Sequence, residues 1–206
     1  MVILPRLIQF ALITVKKMGI DESHGLSHAL NVLHHSHAIL ESELPTHPYL
    51  EEQRDVIYTS AIVHDLCDKK YMDEYYGIQH IHRYLVTKTP LLAEETAIVE
   101  KIIATMSYSK VKVNGFPSMG NYMMAYHIVR EADLLSAYDF DRSIIYNMYQ
   151  KDSNFTNSIQ NAMNLFEQRV LQHNRDSLFI TEYSKCLSTQ LEQEAKTRIE
   201  NWKSIL

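Results

Sequence analysis

Residues 58–71 read YTSAIVHDLCDKKY. An apolar run, Ala61-Ile62-Val63, leads straight into an adjacent imidazole and carboxylate, His64-Asp65, then to a second acid, Asp68, and two lysines. An ionised aspartate taken out of water without a partner costs several kcal/mol, so such a group neutralises, pairs or coordinates a cation. Adjacent helix residues point about 100° apart. His64 and Asp65 therefore converge only on a point off the helix flank, a position open to a metal lying between helices.

Outward from this stretch, apolar residues recur at three- and four-residue spacing, the helical period. A first helix is expected over Leu7 to Lys17. A second runs from Ser23 or Ser27 to about Ser42, where LPTHP (residues 44–48) stops it. A third spans about Glu51 to Leu66, a fourth residues 76–88, and a fifth residues 92–106, with Pro90 near its first turn. Residues 107–120, with Asn114-Gly115 and Phe116-Pro117 as turn signals, form the longest stretch expected to be non-helical. Helices resume over 121–138, 141–150, 158–172 and 181–206. Repeated β-branched alternation is absent, so the fold class is all-α.

With 206 residues the chain reads as one domain, a core over about 20–150 followed by C-terminal helices over 151–206. A 46% hydrophobic and 22% charged composition is enough to build that core. The formal charge of -5 gives no general attraction to nucleic-acid polymers or anionic membranes, so any phosphate affinity has to be local. Cys67 and Cys186 stand far apart and form no motif, as unpaired thiols of a reducing compartment do. The opening MVILPRLIQFALITVKKMGI is broken by Pro5, Arg6 and Gln9 and carries no small-residue cleavage site. It reads as an amphipathic helix packing on the domain, and an intracellular, cytoplasmic location is expected.

Two further stretches place polar groups in apolar patterns. In HGLSHALNVLHHSH (residues 24–37), His28 lies within the pattern Leu26, Leu30, Val32, Leu33 and faces the same interior as the His64 helix. In AYHIVREADLLSAYD (residues 125–139), Ala125, Val129 and Asp133 fall at successive four-residue steps, so a carboxylate occupies an apolar position. His28, His64, Asp65 and Asp133 make two imidazoles and two carboxylates. That set suits one divalent ion, Mn²⁺, Fe²⁺, Ni²⁺, Co²⁺ or Mg²⁺, better than a thiolate-type structural zinc.

The order His…His-Asp…Asp, carried by SHALNV, AIVHDLCDKKY and READLLSAYD, resembles the HD-domain metal-dependent phosphohydrolase superfamily. Within it the chain is similar to the small single-domain hydrolases, over about Ser23 to Asp139. The resemblance implies an HD-type helical bundle with an additional C-terminal helical segment. It makes His28, His64, Asp65 and Asp133 the metal ligands and places His24 beside them, where it positions substrate or solvent. Asp68 becomes the group that orients or deprotonates the attacking water, and Lys69 meets a phosphate. Gly25 and Leu26 stand where the family has an Asp-Trp pair, Leu134 where it has an arginine, and SAYDFDRSI (residues 136–144) where it has a glycine-rich run. These departures are expected in the substrate pocket rather than around the metal. Arg142 is a candidate for the charge missing at Leu134, and Lys110 and Lys112 for a phosphate-facing lip.

The implied activity is metal-assisted hydrolysis of a small phosphate ester or anhydride, with a nucleotide as the expected substrate by family analogy. Two other readings stay open. One is a di-iron oxygenase on the same fold, which needs further histidines, with His80, His82 and His127 available. The other is a non-catalytic nucleotide-binding module.

Overall fold

The computed structural model describes residues 3–151 and 154–206. Ten α-helices make up the described chain: α1 (Ile3–Met18), α2 (Leu26–Glu43), α3 (Arg54–Val63), α4 (Glu74–Lys88), α5 (Ala93–Thr105), α6 (Tyr108–Asn114), α7 (Met123–Ser136), α8 (Phe140–Gln150), α9 (Phe155–Gln168) and α10 (Glu182–Lys203). No strand occurs among the described residues, and the fold is all-α. None of these helices is long and apolar enough to cross a membrane.

Two helices are apolar nearly all round and form the centre, as a helix without a polar face must. In α3 every residue from Val56 to Val63 is buried, and in α7 everything from Ala125 to Ser136 except Asp133. Helix α2 packs against both, and α3 and α7 pack on each other, so three helices meet along one seam. Helices α1 and α5 cover α3, while α8 packs on α9. Starts are set by side-chain caps: Asp73, Asp139 and Thr181 accept from the amides of Tyr76, Arg142 and Ser184 at the heads of α4, α8 and α10.

Residues 107–120 depart from the sequence reading. They contain α6, whose Tyr108 and Val111 sit one turn apart and are both buried. Burial of that pair outweighs the turn signals, which act only at its end, where Gly115 takes φ 69°. Helix α1 begins at Ile3 rather than Leu7, with Pro5 accommodated in its first turn. Helix α3 is shorter than expected, running from Arg54 to Val63.

The C-terminal segment is latched to the centre by a buried ion pair. Glu131 of α7 accepts from Arg130 Nη2 (3.1 Å), from the amides of Ile180 (2.7 Å) and Thr181 (3.2 Å), and from Thr181 Oγ1 (2.7 Å). Glu131→Ala strips a fully desolvated Arg130 of its counter-charge, and should lower unfolding stability by about 3–5 kcal/mol in denaturant titrations.

Gly77 of α4 rests on the chain just past α3: a Cβ there would lie 2.7 Å from both Cα and Cβ of Cys67. Alanine in a helix interior gains about 1 kcal/mol over glycine. Overpacking against backbone costs about 1–3 kcal/mol and dominates here. Gly77→Ala is therefore expected to lower the melting temperature; an unchanged or raised value would refute this packing argument.

Candidate functional site

The three-helix seam ends in a cluster of titratable side chains. His28 comes from the first turn of α2 and Asp133 from the last turn of α7. His64 occupies the C-cap of α3, and Asp65 follows in a series of turns, with Leu66 N donating to Val63 O and Asp68 N to Asp65 O. His64 keeps helical backbone angles (φ -57°, ψ -38°), so the two adjacent side chains diverge as on a helix and meet α2 and α7 off the flank of α3.

His28 Nε2 lies 3.2 Å from His64 Nε2 and 3.3 Å from both Asp65 Oδ2 and Asp133 Oδ1. His64 Nε2 lies 3.3 Å from Asp65 Oδ2 and 3.7 Å from Asp133 Oδ1. Ligand atoms about 2.1 Å from a common centre are separated by about 3.0 Å when adjacent in an octahedron and about 3.4 Å in a tetrahedron. The observed edges match that spacing. His28, His64 and Asp65 offer atoms all within 4.8 Å of one another, and Asp133 joins through its contacts to both imidazoles.

The donor set also fits a cation chemically. Nδ1 of His64 lies 2.9 Å from Ala61 O, and a carbonyl only accepts, so Nδ1 carries a proton and Nε2 faces the cluster, available to a cation once its own proton leaves. Burial pushes the His64 imidazole toward neutrality, but the carboxylates of Asp65 and Asp133 outweigh it and raise its pKa to about 9. Burial opposes ionisation of Asp65 and Asp133 too, yet His64 and His28 hold both well below the usual carboxylate range. Cys67, on the same wall, is pushed up to about 12 by burial and by Asp65 beside it, so it is a thiol and offers no thiolate.

The cluster opens into a cavity of about 330 Å³, within the range of small-molecule pockets. His24, Asp68, Lys69, Lys110 and Arg142 all line it. His24 sits before α2 rather than on it. Its Nε2 is 2.8 Å from Lys70 Nζ, and its Nδ1 is 2.7 Å from Ser23 Oγ and 3.0 Å from Tyr71 OH. Burial, with Lys70 and Arg142 nearby, lowers its pKa to about 4, so it is neutral at physiological pH and its Nε2 accepts a hydrogen bond from Lys70 Nζ. Asp68 is half-buried, accepting from the Lys70 amide (2.8 Å) with its other oxygen 3.3 Å from Lys70 Nζ.

The cations differ in commitment. Lys110 is bound by Glu74 and donates to Ala104 O (2.7 Å), and one arm of Arg142 donates to Ser23 O (2.8 Å). Lys112 does not line the cavity and pairs with Asp176. Lys69 is exposed at the cavity edge.

Lys70, in the cavity wall, and Tyr71 behind it belong to the AIVHDLCDKKY motif and fix His24, as the preceding hydrogen bonds show. Other lining residues carry no sequence signal. Lys151, Arg169 and His173 bring the C-terminal segment to the wall. Arg169 lies over the Tyr108 ring (4.8 Å to the centroid) and Lys151 over Tyr146 (5.9 Å). His173 is buried, neither of its ring nitrogens has a hydrogen-bond partner among the described residues, and burial with Arg169 lowers its pKa to about 4.

Compared with protein-family models, curated proteins and solved structures, the chain matches none.

An anion entering the cavity meets Lys69, Arg142, Lys151 and Arg169 at its rim. Arg169→Ala is expected to weaken binding of inorganic phosphate to the metal-loaded protein about tenfold by calorimetry. Metal content should not change. Loss of metal instead would place Arg169 in the structure of the centre rather than in anion binding.

Proposed function

We propose that the chain is a divalent-metal-dependent phosphohydrolase of the HD type, acting on a nucleotide or another small phosphate ester or anhydride. The observation that carries this reading is the meeting of His28, His64, Asp65 and Asp133 at one point in a cavity rimmed by cations. A divalent ion bound there supplies Lewis acidity and lowers the pKa of water from about 15.7 toward about 7.

The surrounding side chains divide the remaining work. Asp68, its orientation fixed by Lys70, lines the cavity as a carboxylate acceptor placed to hold the attacking water and take its proton. His24 is kept neutral and anchored, so it orients rather than transfers protons at physiological pH. Lys69 and Arg142 meet the phosphoryl oxygens, compensating charge that grows as the bond to the leaving group breaks. Leu134, Ile103 and Met106 provide an apolar side to the same cavity, suited to the organic part of a nucleotide.

The histidines that an oxygenase would need do not favour it. His80 packs on Phe10, His82 pairs with Glu100, and His127 sits beside Phe116 and Arg130; none of the three lines the cavity.

The test begins with elemental analysis of purified protein. Phosphate and pyrophosphate release is then measured across nucleotides with Mn²⁺, Co²⁺, Ni²⁺ and Mg²⁺. Asp65→Ala and Asp133→Ala should lose bound metal, and should lower kcat by more than the roughly 10–100-fold that loss of a ligand's hydrogen-bond partner costs. A metal-free Asp65→Ala protein with full activity would end the proposal. Nucleotide binding without release of phosphate or pyrophosphate under any of these metals would support the non-catalytic module instead.

A further inference from the structure

A second concavity, of about 720 Å³, lies between α1 and α4 and shares no lining residue with the cavity above. Its helices meet where Phe10 stacks on Tyr84, with ring centroids 3.8 Å apart, and where Tyr84 OH donates to Arg6 O (2.8 Å). Arg6 and Lys17 line it from α1, and Arg83 and Lys88 from α4, while no acidic residue lines it. In a chain with 25 acidic and 20 basic residues, four cations in one groove are not a consequence of overall charge. No carboxylate among the described residues pairs with any of the four. Their mutual repulsion is relieved only by solvent and counter-ions.

Two further observations point to a ligand. Thr14 is 1% exposed and lines the groove, and its buried Oγ1 has no hydrogen-bond partner among the described residues, so a polar atom lies just beneath the floor with its bonding capacity unused. The remaining floor and edge are apolar, formed by Phe10, Tyr84 and an exposed Ile13. His80 reports the local field: burial lowers its pKa, and Lys17 and Arg83 lower it further.

We propose that the α1–α4 groove is a second binding site, for a small soluble organic phosphate whose phosphate is held at the His80 end by Lys17 and Arg83 and whose body lies on Phe10, Ile13 and Tyr84 toward Arg6 and Lys88. The volume is that of a small-molecule pocket. The chain's net charge of -5 opposes general adsorption to an anionic membrane, so a soluble phosphate is the occupant. Nothing in this inference depends on the phosphohydrolase reading.

The experiment is a titration of the isotopically labelled full chain, loaded with diamagnetic Mg²⁺, with α,β-methylene-ADP, which resists hydrolysis, followed through backbone amide shifts. Amides of α1 and α4 should move, and added salt should weaken the effect. In a Lys17→Glu/Arg83→Glu variant the apparent affinity at α1–α4 should fall about tenfold or more. Shifts around α2 and α7 should persist in that variant, since both positions lie outside the first cavity. A Lys17→Gln/Arg83→Gln variant, which only removes charge, should give a smaller loss in the same direction.

The proposal fails if shifts are confined to α2, α3 and α7, or if both variants bind at α1–α4 like the parent. It fails equally if this face responds only to vesicles of phosphatidylcholine and phosphatidylserine. Shifts at α1–α4 without any at α2 and α7 would support the groove while counting against nucleotide as the substrate of the first cavity, so the two readings fail separately.

Discussion

The carboxylates of Asp65 and Asp133 lie against two imidazole nitrogens that themselves face each other at 3.2 Å. Four electron-rich atoms in one corner repel unless something positive is shared among them, and in a low-dielectric setting that repulsion is far stronger than in water. The rest of the fold can be understood as what holds this corner together. Helices α3 and α7 are buried on nearly every side, so neither can rotate or slide to relax the cluster without opening the core. The carbonyl of Ala61 adds a second constraint by fixing the His64 tautomer. Precision at the centre is thus borrowed from apolar packing, and its charge is what that packing restrains.

The sequence was most legible where polar groups interrupt strong apolar periodicity. His28, His64, Asp65 and Asp133 each break such a pattern, and each is found at the centre. Helices α2, α3, α4, α5 and α7 follow the three- and four-residue spacing, with errors mainly at their ends. Helix α6 was hidden because it is short and its only burial signal, Tyr108 with Val111, sits next to Asn-Gly and Phe-Pro. Helix α3 was read too long because Leu66 and Cys67 are buried like helical core residues, although the chain there is already turning. Lys70 shows a different limit. Its bonds to His24 and Asp68 depend on a chain reversal between residues 65 and 72 that no local pattern specifies.

Lys151, Arg169 and His173 were illegible for a topological reason. Their neighbours in sequence carry no motif, and they acquire meaning only because the C-terminal helices fold back. Helix α10 is held near both ends. Glu131 binds the residues before its first turn, while Asp141 of α8 accepts from Arg198 Nε (3.0 Å) and Trp202 Nε1 (3.0 Å) near its last. Through Asp141 the last helix is tied to α8, the helix that carries Arg142 and Tyr146 into the cavity wall. The segment is therefore a structural part of the cavity rather than an appendage to it.

Charge pairing within the cavity suggests an order of events on the proposed reading. Of the lining ions, Lys110 is matched by Glu74 and Lys70 by Asp68. Asp65 and Asp133, compensated in part by the His64 imidazolium, then stand against Lys69, Arg142, Lys151 and Arg169. A divalent cation that binds between the two aspartates as the His64 proton leaves concentrates positive charge at the point where a phosphate has to sit. An anion arriving first would instead meet two carboxylates there, with only the imidazolium beside them. The same side chains that hold a cation thus make phosphate recognition conditional on it. The α1–α4 groove, lined by cations without any carboxylate, carries no such condition.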